Sequence, residues 1–381
     1  MSLIIKTGIL ILNILYSFIK LFPQKKKITI ISRQSNEPSL DITMLADKIN
    51  ELHHDHEVVI LCRTLDGGIT KKAGYLLHMI SQMYHMSTSE VVILDSYCIA
   101  ASILRHKNTL LIIQMWHSIG TMKKFGYSIL DKEEGSSSKI AKLMKMHSNY
   151  DYIFSAGDGY KEHLAQGFNY PADKIITMPL PRVELLKNRE YGNLKRGEIF
   201  NTYPALDGKI NLLYVPTFRK TDDEAFIASL EELCKAVDYD KYNLIVKPHP
   251  LTNMSGFKPC SAITDKEFSS FDMLFACDIV ISDYSCIMYE AAVLNKPIYL
   301  YTYDYDEYMR TRDIFMNYLD EVPGPVCHTA AQLISSINSS AYDFEKLRSF
   351  LNKYVYMGSL HETEDMVNFI FEHRKTASTG R

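Results

Sequence analysis

Four polar segments in this sequence of 381 residues each follow an apolar run that is typical of a buried β-strand. They are Trp116 to Thr121 after the run 109–114, Pro216 to Arg219 after 211–215, Lys247 to Pro250 after 244–246, and Asp283 to Cys286 after 278–282. Ligands of doubly wound α/β sheets bind beyond the carboxyl ends of the strands. We therefore expect these four segments to supply the chemistry of the protein.

The segment from Asp283 to Cys286 precedes a helical pattern over residues 287–294. Free backbone N–H groups and the helix dipole at such a strand-to-helix turn favour an anion. Glu290, one turn into the helix, is placed to reach a ribose diol. Plain N-capping by Asp283 or Ser285 and a solvated surface glutamate are the alternatives.

The other three segments contain imidazole and basic groups. His249 lies between two prolines that stiffen its backbone, and beside Lys247 it suits phosphate binding or proton transfer; a structural loop histidine is the alternative. Arg219 can clamp a diphosphate or form a surface ion pair. The segment 116–126 holds the only Trp, together with His117 and a Lys pair, and its alternative is a core Trp beside a satisfied histidine. Together the four segments make a coherent nucleotide site.

Several other classes of site are excluded or disfavoured. The sequence contains no Gly-x-Gly-x-x-Gly, Walker, Gly-x-Ser-x-Gly or His-Glu-x-x-His motif. The histidine-rich run 53–56 is interpreted as the surface end of a helix, so we expect no metal and no cofactor. A net charge of −3 gives no bulk attraction to nucleic acid. Seven scattered cysteines without a C-x-x-C pair argue against a disulfide scaffold and favour a reducing, cytoplasmic compartment.

The elements that must position these segments form two series of apolar strands alternating with helices, which indicates parallel βαβ units. A charged stretch broken by Gly and Pro, residues 182–209, connects the two series. The sequence therefore predicts two Rossmann-like doubly wound domains, an N-terminal one at 25–190 and a C-terminal one at 205–340. Residues 1–24 form a separate apolar segment, and residues 341–381 form C-terminal helices with a polar tail.

The amino terminus is the compositional exception. Thr7 to Ile19 is an uncharged run of thirteen residues, whereas a membrane-spanning helix needs about 20. No small-residue cleavage site follows, which disfavours a secretory signal. We expect a helix lying in the membrane interface, with Lys20 and Lys25 to Lys27 facing anionic headgroups. The alternative is a buried first helix of the core.

Five motifs carry a resemblance to a known family: WHSIGTMKKFGY at 116–127, YVPTFR at 214–219, KPHP at 247–250, the block from CDIVISDYSC to YMRTR at 277–312, and VPGPV at 322–326. In this order they resemble the CDP-glycerol glycerophosphotransferase family of teichoic acid synthesis. The likeness covers residues 90–330 and is nearest to the primase branch, whose members add the first glycerol phosphate to an undecaprenyl-diphosphate-linked disaccharide.

The resemblance implies a GT-B architecture, in which two Rossmann-like doubly wound domains face a central cleft, the N-terminal one for the acceptor and the C-terminal one for CDP-glycerol. It also implies a set of residues that bind CDP-glycerol. In this sequence they are His117, Ser118, Ile119, Gly120 and Thr121 at the transfer site, Arg182 in a Pro-Arg pair, Pro216, Thr217 and Arg219, Lys247, Pro248 and His249, Asp283, Ser285 and Cys286 for the phosphates, and Glu290 for the ribose. Cys286 departs from the family, which commonly has a second serine there.

The reaction that the resemblance implies is transfer of a substituted phosphate group. An acceptor hydroxyl attacks the β-phosphorus of CDP-glycerol and releases CMP, with His117 as general base and with His249, Arg182 and the turn at 283–286 neutralising the diphosphate. The expected partners are CDP-glycerol, a lipid-linked saccharide acceptor and the cytoplasmic face of the cell membrane, with self-association left open. The alternatives are a polymerising or capsule-type transferase that uses CDP-glycerol or CDP-ribitol, a GT-B glycosyltransferase that uses another nucleotide sugar, and a non-catalytic nucleotide-binding scaffold.

Overall fold

The computed structural model describes residues 2–65, 69–132, 135–219, 223–249, 251–258, 261–339 and 341–375. The chain divides into two compact units. Unit 1 comprises Met1–Ser118, Lys124–Glu184 and Tyr356–Arg381, and unit 2 comprises Ile119–Lys123 and Leu185–Val355.

The strands, in chain order, are β1 (Lys27–Ser32), β2 (Glu57–Cys62), β3 (Val91–Leu94), β4 (Leu111–Gln114), β5 (Tyr152–Ser155), β6 (Ile175–Thr177), β7 (Ile210–Tyr214), β8 (Tyr242–Val246), β9 (Ile263–Thr264), β10 (Ile279–Ser282), β11 (Ile298–Tyr301) and β12 (Val326–Cys327). The α-helices are α1 (Ser2–Ile19), α2 (Leu40–Leu52), α3 (Ile69–Thr88), α4 (Ile99–Ile103), α5 (Ser138–Leu143), α6 (Lys161–Phe168), α7 (Arg182–Lys187), α8 (Arg189–Thr202), α9 (Asp223–Ala236), α10 (Ser270–Ala276), α11 (Ile287–Val293), α12 (Tyr305–Thr311), α13 (Tyr318–Glu321), α14 (Ala330–Asn338), α15 (Phe344–Tyr354) and α16 (Glu362–Glu372).

Each unit is built on a six-stranded sheet in which all the strand pairs are parallel. The strand order is β2-β1-β3-β4-β5-β6 in unit 1 and β12-β11-β10-β7-β8-β9 in unit 2. Strands β1, β3 and β4 are buried along their whole length, as expected for parallel strands covered by helices on both faces. The continuous apolar runs in the sequence therefore predicted the centre of each sheet.

The C-terminal part of the chain contributes to both units. Helix α15 packs against α11 in unit 2, and Phe350 of α15 stacks on Tyr289 with ring centroids 4.9 Å apart. Helix α16 instead packs on α2 in unit 1, where Phe369 contacts the rings of Tyr152 and Phe154. Residues that the sequence grouped as one C-terminal segment thus complete two separate cores.

The connection at 182–209 is helical rather than irregular. Helix α8 begins at the Asn188 side chain, which accepts a hydrogen bond from the Tyr191 N–H, and the helix packs on α10. A Cβ atom at Gly192 would lie only 3.0 Å from the Phe275 ring, so this glycine allows the two helices to approach closely. Packing therefore offsets the helix propensity lost at Gly192 and Gly197, about 1 kcal/mol each.

The cysteines have two different states. Cys62, Cys98, Cys277, Cys286 and Cys327 are free thiols. Cys234 is disulfide-bonded, which the scattered cysteines of the sequence did not predict.

Helix α1 belongs to unit 1 and packs against the rest of that unit along one edge. Tyr16 is fully buried and its hydroxyl lies 3.0 Å from His106 Nδ1, while the Asn13 amide bonds to the backbone of Ile103 and Arg105. Large apolar side chains cover the rest of its surface, and only 6% of the helix is buried, which rules out a core helix. Those exposed on α1 and just after it are Leu3, Ile4, Leu10, Ile11, Ile14, Leu15, Phe18, Leu21 and Phe22.

By length and composition α1 could also cross a membrane. It has 18 residues and a mean hydropathy of 1.9, and it is the one such helix among the described residues. It extends beyond the uncharged run because Lys6 lies within it. Spanning a bilayer takes about 20 apolar residues. The contacts of Tyr16 and Asn13 hold one edge of the helix against unit 1, as suits a helix that lies along a surface.

We predict that Tyr16→Ala detaches α1 from unit 1. The variant loses a buried aromatic side chain and its hydrogen bond, so the free energy of unfolding should fall by about 3 kcal/mol, and limited proteolysis should cleave within residues 2–22 faster. Phe18→Ala is the matched control, because Phe18 is 65% exposed and should change neither measurement. Equal stability and equal cleavage rates for Tyr16→Ala and the wild type would contradict this account of α1.

Candidate active site

The carboxyl ends of β1, β3 and β4 place several polar groups of unit 1 together. After β4 the backbone turns sharply at Trp116, whose φ of 66° lies in the left-handed region that non-glycine residues rarely adopt. The Gln114 side chain stabilises the turn by accepting a hydrogen bond from the Trp116 N–H at 3.0 Å. The indole packs against Phe125 and Phe168, with ring centroids 4.6 and 5.3 Å away. This strained turn, of a kind that clusters at functional sites, presents His117.

Two groups contact His117 Nδ1. The backbone oxygen of Asp95 lies 3.0 Å away and can only accept, whereas the Gln34 amide nitrogen lies 3.3 Å away and can donate. The shorter contact favours a proton on Nδ1. The Nε2 atom then holds a lone pair. Burial lowers the pKa of His117, although the hydrogen bond to Asp95 and the carboxylate of that residue act in the opposite direction. A neutral imidazole with an unprotonated Nε2 can act as a general base.

Asp95, which directly follows β3, is a functional candidate that the sequence did not single out. Its side chain is buried. Burial raises the pKa of Asp95, whereas hydrogen bonds from Ser32 and Ser96, and then the charge of His117, oppose that rise. A buried carboxyl group beside an imidazole indicates an electrostatic role.

Arg182 lies in the same unit and is paired with a second buried carboxylate. Its backbone N–H donates to Asp41 Oδ1 at 2.9 Å and its Nε donates to Asp41 Oδ2 at 2.8 Å. Asp41 is only 1% exposed and stands in the first turn of α2. The positive charge of Arg182 is therefore largely balanced within unit 1, and its field acts to lower the pKa of His117.

In unit 2, Arg219 stands at the centre of a buried ion network. Its Nε donates to Asp304 Oδ2 at 2.6 Å and its Nη2 donates to Asp283 Oδ2 at 3.0 Å. Its guanidinium also lies over the rings of Tyr284 and Tyr308, at 5.3 and 4.9 Å from their centroids. The Arg219 side chain is only 9% exposed, so it is not the surface ion pair that the sequence left open.

Asp283 also fixes the backbone after β7. It accepts hydrogen bonds from the N–H of Thr217 at 2.9 Å and from the Thr217 hydroxyl at 2.7 Å. The carboxylate therefore joins the ends of β7 and β10 instead of capping α11. Pro216 and Thr217 lie directly at this junction.

The segment 247–249 divides into a fixed lysine and an accessible histidine. Lys247 Nζ donates to Asp265 Oδ2 at 2.6 Å and also to the backbone oxygens of Asp265 and Phe268. His249 is exposed, and its Nδ1 accepts a hydrogen bond from the Leu251 N–H at 3.2 Å, so its Nε2 carries the proton. Burial of the ring lowers the pKa of His249, and the charge of Lys123 lowers it further.

The remaining residues of the predicted set are also in unit 2. The Ser285 hydroxyl accepts a hydrogen bond from the Ile287 N–H at 3.4 Å, and Cys286 is the residue that precedes α11. Glu290 in α11 is 7% exposed, which excludes a solvated surface glutamate. Of the motif at 116–126, residues 119–123 belong to unit 2, whereas His117 and Ser118 belong to unit 1.

The histidine-rich run at 53–56 has contacts that account for it without a ligand. His56 lies 2.8 Å from Asp55 and 3.4 Å from Glu90, and His53 stacks on Phe371 with centroids 3.4 Å apart. Among the described residues there is no group of three or more His, Cys, Asp or Glu side chains suited to a metal ion.

Comparison with known proteins agrees with these observations on the fold. The wall teichoic acid polymerase TagF superposes with a TM-score of 0.74 over 98% of this chain and 97% of that chain, at 18% identity. The UDP-GlcNAc 2-epimerase of Methanocaldococcus jannaschii superposes with a TM-score of 0.58 over 91% of this chain and 99% of that chain, at 12% identity. The chain therefore has an α/β fold of the GT-B class, which confirms the fold class predicted from the sequence.

The sequence comparisons define the family. Residues 14–372 match the model of the CDP-glycerol:poly(glycerophosphate) glycerophosphotransferases. A teichoic acid ribitol-phosphate primase of Bacillus spizizenii is 29% identical over 356 residues, 91% of each chain. A teichoic acid glycerol-phosphate primase of Bacillus subtilis is 30% identical over 298 residues, 77% of this chain and 76% of that protein. The protein belongs to this glycerophosphotransferase family of teichoic acid synthesis, so the family and enzyme class predicted from the motifs are confirmed.

We predict that Arg219→Met destabilises unit 2 in the absence of any ligand. The substitution leaves the carboxylates of Asp283 and Asp304 without their cation, and breaking a buried pair in this way costs about 3–5 kcal/mol of unfolding free energy. Arg310→Met is the control, because Arg310 and its partner Glu307 are 74% and 64% exposed. That variant should lose less than about 1 kcal/mol. Chemical denaturation measures both, and an Arg219→Met variant as stable as the wild type would show that the network is not structural.

Proposed function

We propose that this protein transfers glycerol phosphate from CDP-glycerol to a membrane-bound, undecaprenyl-diphosphate-linked saccharide, with release of CMP, in the synthesis of wall teichoic acid or a related cell-surface polymer. Membership of the family supports the class of donor. The observation that carries the chemistry is the contact between His117 Nδ1 and the Asp95 carbonyl, since it leaves a basic Nε2 on a neutral ring.

In the proposed step, the acceptor hydroxyl gives its proton to His117 Nε2 while its oxygen attacks the β-phosphorus of the donor. A new oxygen–phosphorus bond forms, and the bond from the β-phosphorus to the oxygen of CMP breaks. Such a transfer depends mainly on positioning and on neutralising charge. In this proposal His117 is the base, and the turns that follow β7, β8 and β10 bind the donor.

We expect His117→Ala to lower kcat by about 10²–10⁴, the contribution of one general base. His54→Ala is the control, because His54 is exposed and has no role in the proposal. Rates are measured as CMP release with a lipid-linked acceptor, after circular dichroism confirms that each variant is folded. Near wild-type turnover by folded His117→Ala would show that another group takes the proton.

The pH dependence offers a separate test of the Asp95–His117 pair. Because burial lowers the pKa of His117 below its usual 6.5, the base is neutral at pH 7, and kcat/KM should fall only as the pH drops below about 6.5. Asp95→Asn removes a negative charge that favours the imidazolium form, so the acid limb should move to lower pH. Asp55→Asn, at an exposed carboxylate, should leave the limb in place. If the acid limb of the kcat/KM profile of Asp95→Asn stays at the wild-type pH, Asp95 does not act on the protonation of His117.

The donor and acceptor are identified by product mass. The enzyme is incubated with a synthetic lipid-linked disaccharide and either CDP-glycerol, CDP-ribitol or a UDP-sugar. A single added glycerol phosphate supports the proposal, a ladder indicates a polymerising transferase, and transfer from a UDP-sugar alone contradicts it. Ribitol phosphate is the second candidate, because the ribitol-phosphate primase of Bacillus spizizenii matches over 91% of both chains.

We further propose that the protein is peripheral to the cytoplasmic face of the cell membrane, where a lipid-linked acceptor would lie. The exposed apolar side of α1 supports this, and a second apolar stripe on the neighbouring α3 adjoins it. That stripe consists of Leu76, Leu77, Ile80 and Tyr84, and the Tyr84 ring meets Phe22 at 5.8 Å. Basic residues at the surface and nearby in the fold or sequence can face anionic headgroups: Lys20, Lys25, Lys26, Lys139, Lys142 and Lys145. Lys27, which the sequence placed among them, is only 2% exposed because its Nζ donates to the Thr88 hydroxyl at 2.5 Å, so it does not face the membrane.

We predict that Ile11→Asp/Phe18→Asp abolishes binding to phosphatidylglycerol vesicles in a flotation assay. Each apolar side chain buried in the interface contributes about 1.5–3 kcal/mol, so the double variant should bind at least about 100-fold more weakly. Leu194→Asp/Leu360→Asp is the matched control, since these leucines are 60% and 71% exposed and belong to neither α1 nor α3. Equal flotation of both double variants would remove α1 from the proposed membrane surface.

A further inference from the structure

Lys123 is a half-buried cation for which the described residues supply no counter-ion. It is the first lysine of the pair in the segment 116–126, and neither the proposed mechanism nor the ion networks above use it. Its Nζ has no ion pair and no hydrogen bond within the described ranges. Its one ring contact is with Tyr308, whose centroid lies 5.6 Å from Nζ.

The backbone of unit 2 holds Lys123 in place. Lys123 pairs with Ile314 in an antiparallel bridge, and the Phe315 N–H donates to the Met122 oxygen at 3.0 Å. Two residues before Lys123, the backbone oxygen of Thr121 accepts a hydrogen bond from the Tyr289 hydroxyl of α11 at 3.4 Å. The segment is therefore fixed on unit 2, so the position of the ammonium group is set by the fold.

The surroundings of Lys123 leave its charge in excess. Burial lowers the pKa of Lys123, and the nearby groups that oppose this effect are Cys286 and Asp283, while Arg312 and Arg219 add to it. The Asp283 carboxylate is already shared by Arg219 and by both hydrogen-bond donors of Thr217. Asp283 is therefore already occupied, and Cys286 carries a thiol rather than a carboxylate, so neither forms an ion pair with Lys123 among the described residues.

Two other cations of unit 2 have direct partners. Arg219 has two carboxylates, and Lys247 has Asp265 together with backbone oxygens. Burying a charge without a direct partner is unfavourable, and such groups are found at functional sites where a ligand completes the pairing. The ammonium group of Lys123, near Cys286, has no acceptor among the described residues, so its N–H donors can bind an anionic ligand.

We propose that Lys123 binds the phosphate groups of the donor, with the Nε2–H of His249 as a second contact. The assignment of an anion follows from the unmatched charge, whereas its assignment to a nucleotide diphosphate rests on the proposed function. His249 follows β8 in the same unit, and its Nε2 carries a proton that it can donate to a phosphate oxygen. The family commonly has a serine at the position of Cys286. The absence of that hydroxyl is then tolerated, because the ammonium group of Lys123 supplies the main attraction for the phosphate groups.

Isothermal titration with inorganic pyrophosphate, CDP and cytidine tests this proposal. Lys123→Met should weaken the binding of pyrophosphate and CDP by about 10- to 100-fold, the effect of one charge-assisted contact, and should leave cytidine binding unchanged. Lys123→Arg should restore most of the affinity, since it keeps the charge. Lys124→Met is the matched control at the adjacent residue and should bind all three probes as the wild type does.

Thermal unfolding separates binding from a structural role. If Lys123 serves a ligand, removing its unmatched charge should leave the Tm of ligand-free Lys123→Met equal to that of the wild type or above it, and the increase in Tm on adding CDP should disappear. If Lys123 instead supports Tyr308, the ligand-free variant should unfold at lower temperature, and this would overturn the proposal.

The outcomes also distinguish this proposal from the proposed function. Pyrophosphate affinity that is the same in Lys123→Met and the wild type, or absent from the wild type, overturns the role of Lys123 whatever the enzyme transfers. Pyrophosphate binding that depends on Lys123, without turnover of CDP-glycerol or CDP-ribitol, supports the anion site and contradicts the proposed donor.

Discussion

Burial of one guanidinium between two carboxylates determines the arrangement of unit 2. Arg219, Asp283 and Asp304 lie where water is largely excluded, so each charge must be matched inside the protein. The same carboxylate of Asp283 also binds Thr217, which fixes the ends of β7 and β10 relative to each other. Because Arg219 is already paired with its two carboxylates and Lys247 with Asp265, the capacity to attract a phosphate falls to other groups.

In unit 1, the surrounding residues keep the imidazole of His117 basic and correctly oriented. The left-handed turn at Trp116 directs His117, and the backbone oxygen of Asp95 selects the Nδ1–H form. Burial keeps the ring neutral, and the buried carboxyl group of Asp95 favours the charged form that arises when a proton is taken up. Backbone strain and a buried carboxyl group, both unfavourable for folding, thus occur together beside the proposed base.

The sequence predicted the central strands and the ends that carry the polar segments, because strands buried on both faces of a parallel sheet need continuous apolar runs. It could not show that Arg219 is neutralised, since Asp304 lies 85 residues further along the chain. Nor could it show that the glycine-containing connection is helical, because the compensating contact is with Phe275 of another helix. Asp95 was missed for a related reason: its burial beside His117 is a property of the folded site.

The protonation state of His117 tests the account of catalysis most directly. In protein labelled with ¹⁵N-histidine, NMR of the ring nitrogens reports the tautomer and, by titration, the pKa. We predict an Nδ1–H tautomer that stays neutral at pH 7, with a pKa below the usual 6.5. The Gln34 amide nitrogen lies 3.3 Å from the same Nδ1 and offers the competing arrangement, in which it donates to an unprotonated Nδ1. An Nε2–H tautomer, or an imidazolium at pH 7, would contradict the role of His117 as the base.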